Sequence, residues 1–148
     1  MKCTALAAAF GVGLAAMAAA HTGVRNTAVL ARMDNMTAMA RQMEVLVPMV
    51  RGTSSFDVER ARAALNELAA LSEASVDLFR APETDPRTEA RPEIWENFDD
   101  FEGRALELAA LARAEAVGLP DTRAALSPVV ARIGESCSGC HEIYRLEN

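Results

Sequence analysis

Along four stretches of this chain, apolar residues recur at intervals of three and four, and short breaks separate the stretches. That spacing lines one face of an α-helix, and a face of that width must be buried against other helices. The first stretch runs from about Asn26 to Arg51 with Val29, Met33, Met36, Ala40, Met43, Val47 and Val50 inward, and Gly52 stops it. Pro48 should kink its last turn or end the regular bonding early. The second, from about Asp57 to Phe79, follows the capping candidates Thr53, Ser54 and Ser55 and carries Val58, Ala61, Leu65, Leu68, Val76 and Phe79 inward. Arg80 to Arg91, with Pro82 and Pro86, is the one long connection. Pro92 suits a first helical turn, and the third stretch runs to about Val117 with Ile94, Trp95, Phe98, Phe101, Ala105, Leu108 and Ala112 inward. After the break at Gly118-Leu119-Pro120, Asp121 is a capping candidate for a fourth stretch that reaches about Tyr144 through Leu126, Val130 and Ile133. Pro128 predicts a kink there, or a regular helix that begins only after Ser127. Such helices span about 33 Å each at about 1.5 Å per residue. The pattern predicts an all-α, antiparallel four-helix bundle, whose core can hold a cofactor between facing helices.

The fourth stretch ends in Cys137-Ser138-Gly139-Cys140-His141, a C-x-x-C-H motif that reads as the attachment site of a c-type haem. On a helix, Cys137, Cys140 and His141 project from one face, so two thiols can bond the porphyrin while the imidazole binds its iron. A thioredoxin-like redox pair belongs near a βαβ pattern, and this chain shows no strand pattern. A zinc site needs about four ligands. The remaining Cys and His residues are Cys3 and His21, so zinc would have to recruit His21.

Residues 1–20 read as a cleaved secretory signal: a positive Met1-Lys2 start, an uncharged apolar run from Thr4, and Ala18-Ala19-Ala20 before His21. The run is short for a membrane span, so no lasting anchor is expected. Residues 21–148 then form one domain. Losing Lys2 leaves 14 basic residues, all arginine, against 21 acidic ones, and moves the net charge from −6 to −7. A nucleic-acid binder would show a basic face, and none is evident. Negative charge favours steered encounters with basic partner surfaces. No nucleophile–base set, P-loop or dinucleotide fingerprint is present, so no enzyme activity is expected.

An exported bundle with C-x-x-C-H on its last helix resembles a class II cytochrome c, the family of cytochrome c-prime and cytochrome c-556. Cys140-His141-Glu142-Ile143-Tyr144-Arg145 resembles the family's C-H-x-x-Y/F-R ending. Ala90-Arg91-Pro92-Glu93-Ile94-Trp95 looks like the start of its third helix, and Arg32, Gly52 and Phe56 fall where its first helix and the following turn carry Arg, Gly and an aromatic residue. The resemblance implies one covalent haem c held by Cys137 and Cys140, with His141 on the iron. In the family, the residue four after the first-helix Arg faces the open side of the haem. Members with an apolar residue there are five-coordinate gas binders, and members with Met are six-coordinate electron carriers. Here that residue is Met36.

The resemblance therefore implies a periplasmic electron carrier with His141 and Met36 on the iron, meeting redox partner proteins. Five-coordinate nitric-oxide or other gas binding is the alternative. Met33, Met39, Met43 and Met49 share this helix, where methionine also serves as adaptable core filler. Met33 takes the ligand role if the register slips by one step of the helix. Arg32 is a candidate partner for a haem propionate. Arg145 is expected beside the proximal imidazole or at the helix C-terminus. Tyr144, Phe98 and Phe101 should wall the pocket, Trp95 should pack, and Asp99, Asp100 and Glu102 should form a solvated face. Members of the family dimerise through their first two helices, and the sequence leaves a homodimer open.

Overall fold

The computed structural model describes residues 23–146. The expected signal segment and His21 lie outside the described residues.

Helix α1 spans Thr27–Arg51. It starts where Asn26 leaves extended geometry and its side chain accepts from the amides of Ala28 and Val29. It ends at Gly52, whose φ of 74° is the left-handed conformation that a Cβ disfavours. Pro48 does not end it: the helix continues to Arg51, and the Pro48 and Met49 carbonyls are capped by the amides of Gly52, Thr53 and Ser54. Helix α2 spans Val58–Phe79 and is capped by Asp57.

The third expected stretch is broken. A single turn, α3 at Glu93–Glu96, is separated from α4 at Phe98–Gly118 by Asn97, whose φ of −130° and ψ of 47° are not helical. Asn competes for backbone hydrogen bonds and is a weak helix former, so the break falls at the residue best suited to it. Helix α5 spans Arg123–Tyr144. Its cap is Thr122, which accepts from the Ala125 amide, rather than Asp121. It also runs through Pro128, so the helix does not wait until after Ser127.

The long helices form a closed ring. α2 packs along both α1 and α4, and α5 lies against α1 and α4. Much of what α2 and α4 bury is small, Ala61, Ala64, Ala69 and Ser72 on one and Ala105, Ala109, Ala112 and Ala116 on the other. Small residues let the two backbones approach, and the Ser72 hydroxyl donates to the Ala105 carbonyl at 2.8 Å. Leu46, Met49, Leu65, Leu68, Leu126 and Ile133 fill the main core beside it. On α5, Val129 is buried and the expected Val130 packs half-buried on the same core.

A second, aromatic cluster lies where α1 begins and α5 ends. Phe79, Ile94, Phe101 and Tyr144 are its buried members. The ring centroids of Phe79 and Phe101 are 5.0 Å apart, and Tyr144 meets Phe101 edge-on at 5.6 Å. The core is thus aliphatic along most of the bundle and aromatic at one end.

Candidate haem site

The C-x-x-C-H segment occupies the last two turns of α5, so helical geometry sets its side chains. Cys137 packs on the edge of the main core, and Cys140, one turn on, packs on the aromatic cluster. Both sulfurs are free and half-buried. Burial pushes both thiols above the ordinary cysteine range, with Arg104 partly opposing this at Cys140. They are therefore neutral thiols at pH 7, unlike the activated thiolate of a redox pair.

His141 reaches the surface at the end of the helix. Desolvation by the atoms packed beside it, and then the Arg145 charge, pull its pKa below the usual histidine value against the pull of Glu89. The ring is neutral at pH 7, which is the state that donates a nitrogen lone pair to iron. Among the described residues, no group of three or more His, Cys, Asp or Glu side chains converges into a site for a bare metal ion. Two neutral thiols one turn apart, an adjacent neutral imidazole and an aromatic wall suit a covalently attached macrocycle.

Across from α5, Met36 is half-buried and packs on the same aromatic cluster as Cys140. The neighbouring methionines differ. Met39 and Met43 pack on the main core, and the Met39 sulfur lies 4.0 Å from both the Asn35 amide nitrogen and the Ser75 hydroxyl. Met36 has no such donor at its sulfur among the described residues, so its lone pairs are uncommitted. Met33 is half-buried and belongs to neither core.

Arg32, the candidate partner for a haem propionate, is held by groups of the protein itself. Its side chain is 2% exposed. Nε donates to the Leu78 carbonyl at 2.8 Å, one terminal nitrogen to Glu83 at 2.8 Å, and the other to Ala81. The guanidinium also lies over the rings of Phe79 and Trp95, 5.0 and 5.2 Å from their centroids. Burial lowers its pKa, and Glu83 offsets part of that.

Tyr144 and Phe101 are buried in the aromatic cluster, with Phe98 and Trp95 packed at its margin. The Trp95 indole also donates to the Phe79 carbonyl at 2.7 Å. Tyr144 donates to Asp100 at 2.6 Å, and burial together with that carboxylate raises its pKa to about 12. Asp100 also accepts from Arg104 at 2.7 Å, so it ties α4 to α5 besides facing solvent with Asp99. Arg145 pairs with Glu89 at 2.8 Å, and its backbone amide caps the helix by donating to the His141 carbonyl.

Sequence reasoning missed Asp85. Its buried carboxylate accepts from the amides of Arg25, Asn26 and Arg87, fastening the 80–92 connection to the start of α1. An Asp between two prolines gives no signal of those amides, two of which lie about 60 residues away.

Residues 27–145 match the family model for cytochrome c'. Cytochrome c-556 of Agrobacterium tumefaciens is 33% identical over 105 residues, covering 71% of this chain and 85% of that protein. Cytochrome c' of Pararhodospirillum photometricum is 32% identical, covering 77% of this chain and 92% of its own. Among solved structures, a ferric variant of cytochrome c prime from Alcaligenes xylosoxidans complexed with nitrite superposes with a TM-score of 0.69. It shares 27% identity, covering 81% of this chain and 94% of that one. The chain therefore belongs to the cytochrome c' family of class II cytochromes c, helical bundles that bind one covalent haem c.

Proposed function

We propose that this protein is a periplasmic, monohaem, single-electron carrier whose haem is bonded to Cys137 and Cys140, with His141 and Met36 as axial ligands of the iron. The observation that carries the reading is the packing of Met36 on α1 and Cys140 on α5 against one aromatic cluster. Bound haem supplies a one-electron ferric/ferrous couple. The chain's own residues set its conditions. The two thiols fix the ring to α5, and the neutral His141 ring presents its nitrogen without a proton to lose. Phe79, Phe101 and Tyr144 exclude water from one side. The Met36 thioether is a soft donor, and His/Met ligation raises the reduction potential. Keeping both ligands through the redox cycle lets the charge change with little rearrangement.

Export rests on residues 1–20. The mature protein should begin at His21, which N-terminal sequencing of the periplasmic fraction would show. No helix among the described residues is long and apolar enough to cross a membrane.

Gas binding is the second reading, favoured by the match to the cytochrome c' family model and to cytochrome c' of Pararhodospirillum photometricum. Optical and electron paramagnetic resonance spectra in both oxidation states separate the two. The carrier reading expects a low-spin, six-coordinate haem in each. A high-spin spectrum of the untreated protein would move the assignment to a five-coordinate gas binder.

A further inference from the structure

Arg32 lies four residues, one helical turn, before Met36 on α1. An isolated buried guanidinium is costly, so its surroundings indicate what it is kept for. Its hydrogen bonds go to the carbonyls of Leu78, Ala81 and Glu83, which belong to the last turn of α2 and the chain just beyond it. Leu78 lies in the last turn, where a helix end leaves carbonyls without intrahelical donors. The planar cation also stacks on Phe79 and Trp95, and Trp95 is itself held by its bond to the Phe79 carbonyl. Phe79 and Trp95 are members of the cluster on which Met36 packs. One side chain therefore fixes α1, in rotation and along its axis, against the wall that Met36 faces.

We propose that Arg32 is the positioning residue of the distal ligand: its fork on the 78–83 carbonyls keeps Met36 aimed into the aromatic pocket and so keeps the sixth coordination site closed. This rests on the reading of Met36 as the axial ligand. A lysine cannot reproduce the role, because a point ammonium does not span three carbonyls or stack as a plane.

The test uses the holoprotein and variants Arg32→Met, Arg32→Lys, Leu65→Ala and Met36→Ala. Leu65 is wholly buried in the main core, away from the aromatic cluster, and serves as a control for general loosening. Carbon monoxide binding to the ferrous protein reports how often the sixth site is open. Arg32→Met should bind carbon monoxide about tenfold faster than wild type, equivalent to about 1.4 kcal/mol of lost ligand placement, and should show a high-spin fraction. Arg32→Lys should fall between, and remains informative if Arg32→Met fails to fold. Leu65→Ala should lower the melting temperature and leave the binding rate unchanged.

Wild-type rates in both Arg32 variants, with a fully high-spin Met36→Ala, would overturn the proposal while leaving the ligand assignment intact. An equal rise in Leu65→Ala would also overturn it, reducing Arg32 to ordinary stability. A low-spin Met36→Ala would remove the ligand assignment itself, and the proposal with it.

Discussion

Met36→Ala removes one thioether and leaves the helix intact, because Ala is the strongest helix former. Two consequences separate cleanly. The first is packing. Complete burial of a methionine would make truncation cost about 2–5 kcal/mol. Met36 is half-buried, so about half of that, roughly 1–2.5 kcal/mol, is the packing cost. A domain of about 120 residues unfolds with an entropy near 250 cal/mol/K, so each kcal/mol moves the melting temperature by about 4 °C. Packing alone then lowers it by about 4–10 °C. The second consequence is electronic and does not follow from packing. With Met36 as the axial ligand proposed above, loss of the sulfur should turn the haem high-spin, open it to carbon monoxide and lower its reduction potential. Met39→Ala should cost a similar or larger amount of stability, since Met39 packs on the main core, with no change of spin state. Thermal melts give the first quantity, and optical spectra with redox titration give the second. A spin change produced by Met33→Ala in place of Met36→Ala would refute the register on which the assignment rests.

Two further outcomes follow from hydrogen bonds in the fold. Ser72→Ala deletes the α2–α4 bond to the Ala105 carbonyl and should cost about 0.5–1.5 kcal/mol in urea unfolding, with spectra unchanged. Asp85 has its pKa lowered by the amides of Arg25, Arg87 and Asn26, so the folded protein takes up its proton less readily than the unfolded chain. Its stabilisation is complete above the ordinary aspartate value and is lost as pH falls through the lowered one. The melting temperatures of wild type and Asp85→Asn should therefore differ at pH 7 and converge in acid, and a constant gap would contradict this.

The helices and the attachment segment were legible because both are local. Three-and-four spacing sets which face is buried, and C-x-x-C-H carries its geometry within two turns. The misplaced details have local causes too: the break at Asn97 and the cap at Thr122 turn on single residues whose neighbours were equally plausible. Pro48 and Pro128 do not break their helices, because the surrounding bundle fixes backbone that a proline would disrupt in isolation. Arg32 was legible only as an arginine near the haem through family resemblance. Its acceptors are backbone carbonyls, which every residue has, 46 to 51 positions away. Asp100 was read as part of a solvated run for the same reason, since its partner Tyr144 lies 44 residues on.

The 80–92 connection is more than a link between α2 and α4. It grips α1 through Arg32 and Asp85, and it grips α5 through a short antiparallel contact. There the Arg91 amide donates to the Tyr144 carbonyl at 3.0 Å and the Leu146 amide to Glu89 at 2.8 Å. The two helices that would bear Met36 and His141 are thus tied to one segment. The α5 side of this tie can be cut. Ending the chain at Tyr144 removes the Leu146 bond, the Arg145 amide's bond to His141 and the Arg145–Glu89 pair. Two lost backbone bonds amount to about 1–3 kcal/mol of local opening free energy, so amide exchange in the last turn of α5 should quicken about 5- to 150-fold. Amides along the α2–α4 seam should keep their wild-type rates, because nothing removed touches them. Hydrogen exchange read by mass spectrometry resolves the two regions. Equal acceleration in both, or none at the end of α5, would show that the connection does not hold the haem-bearing helix.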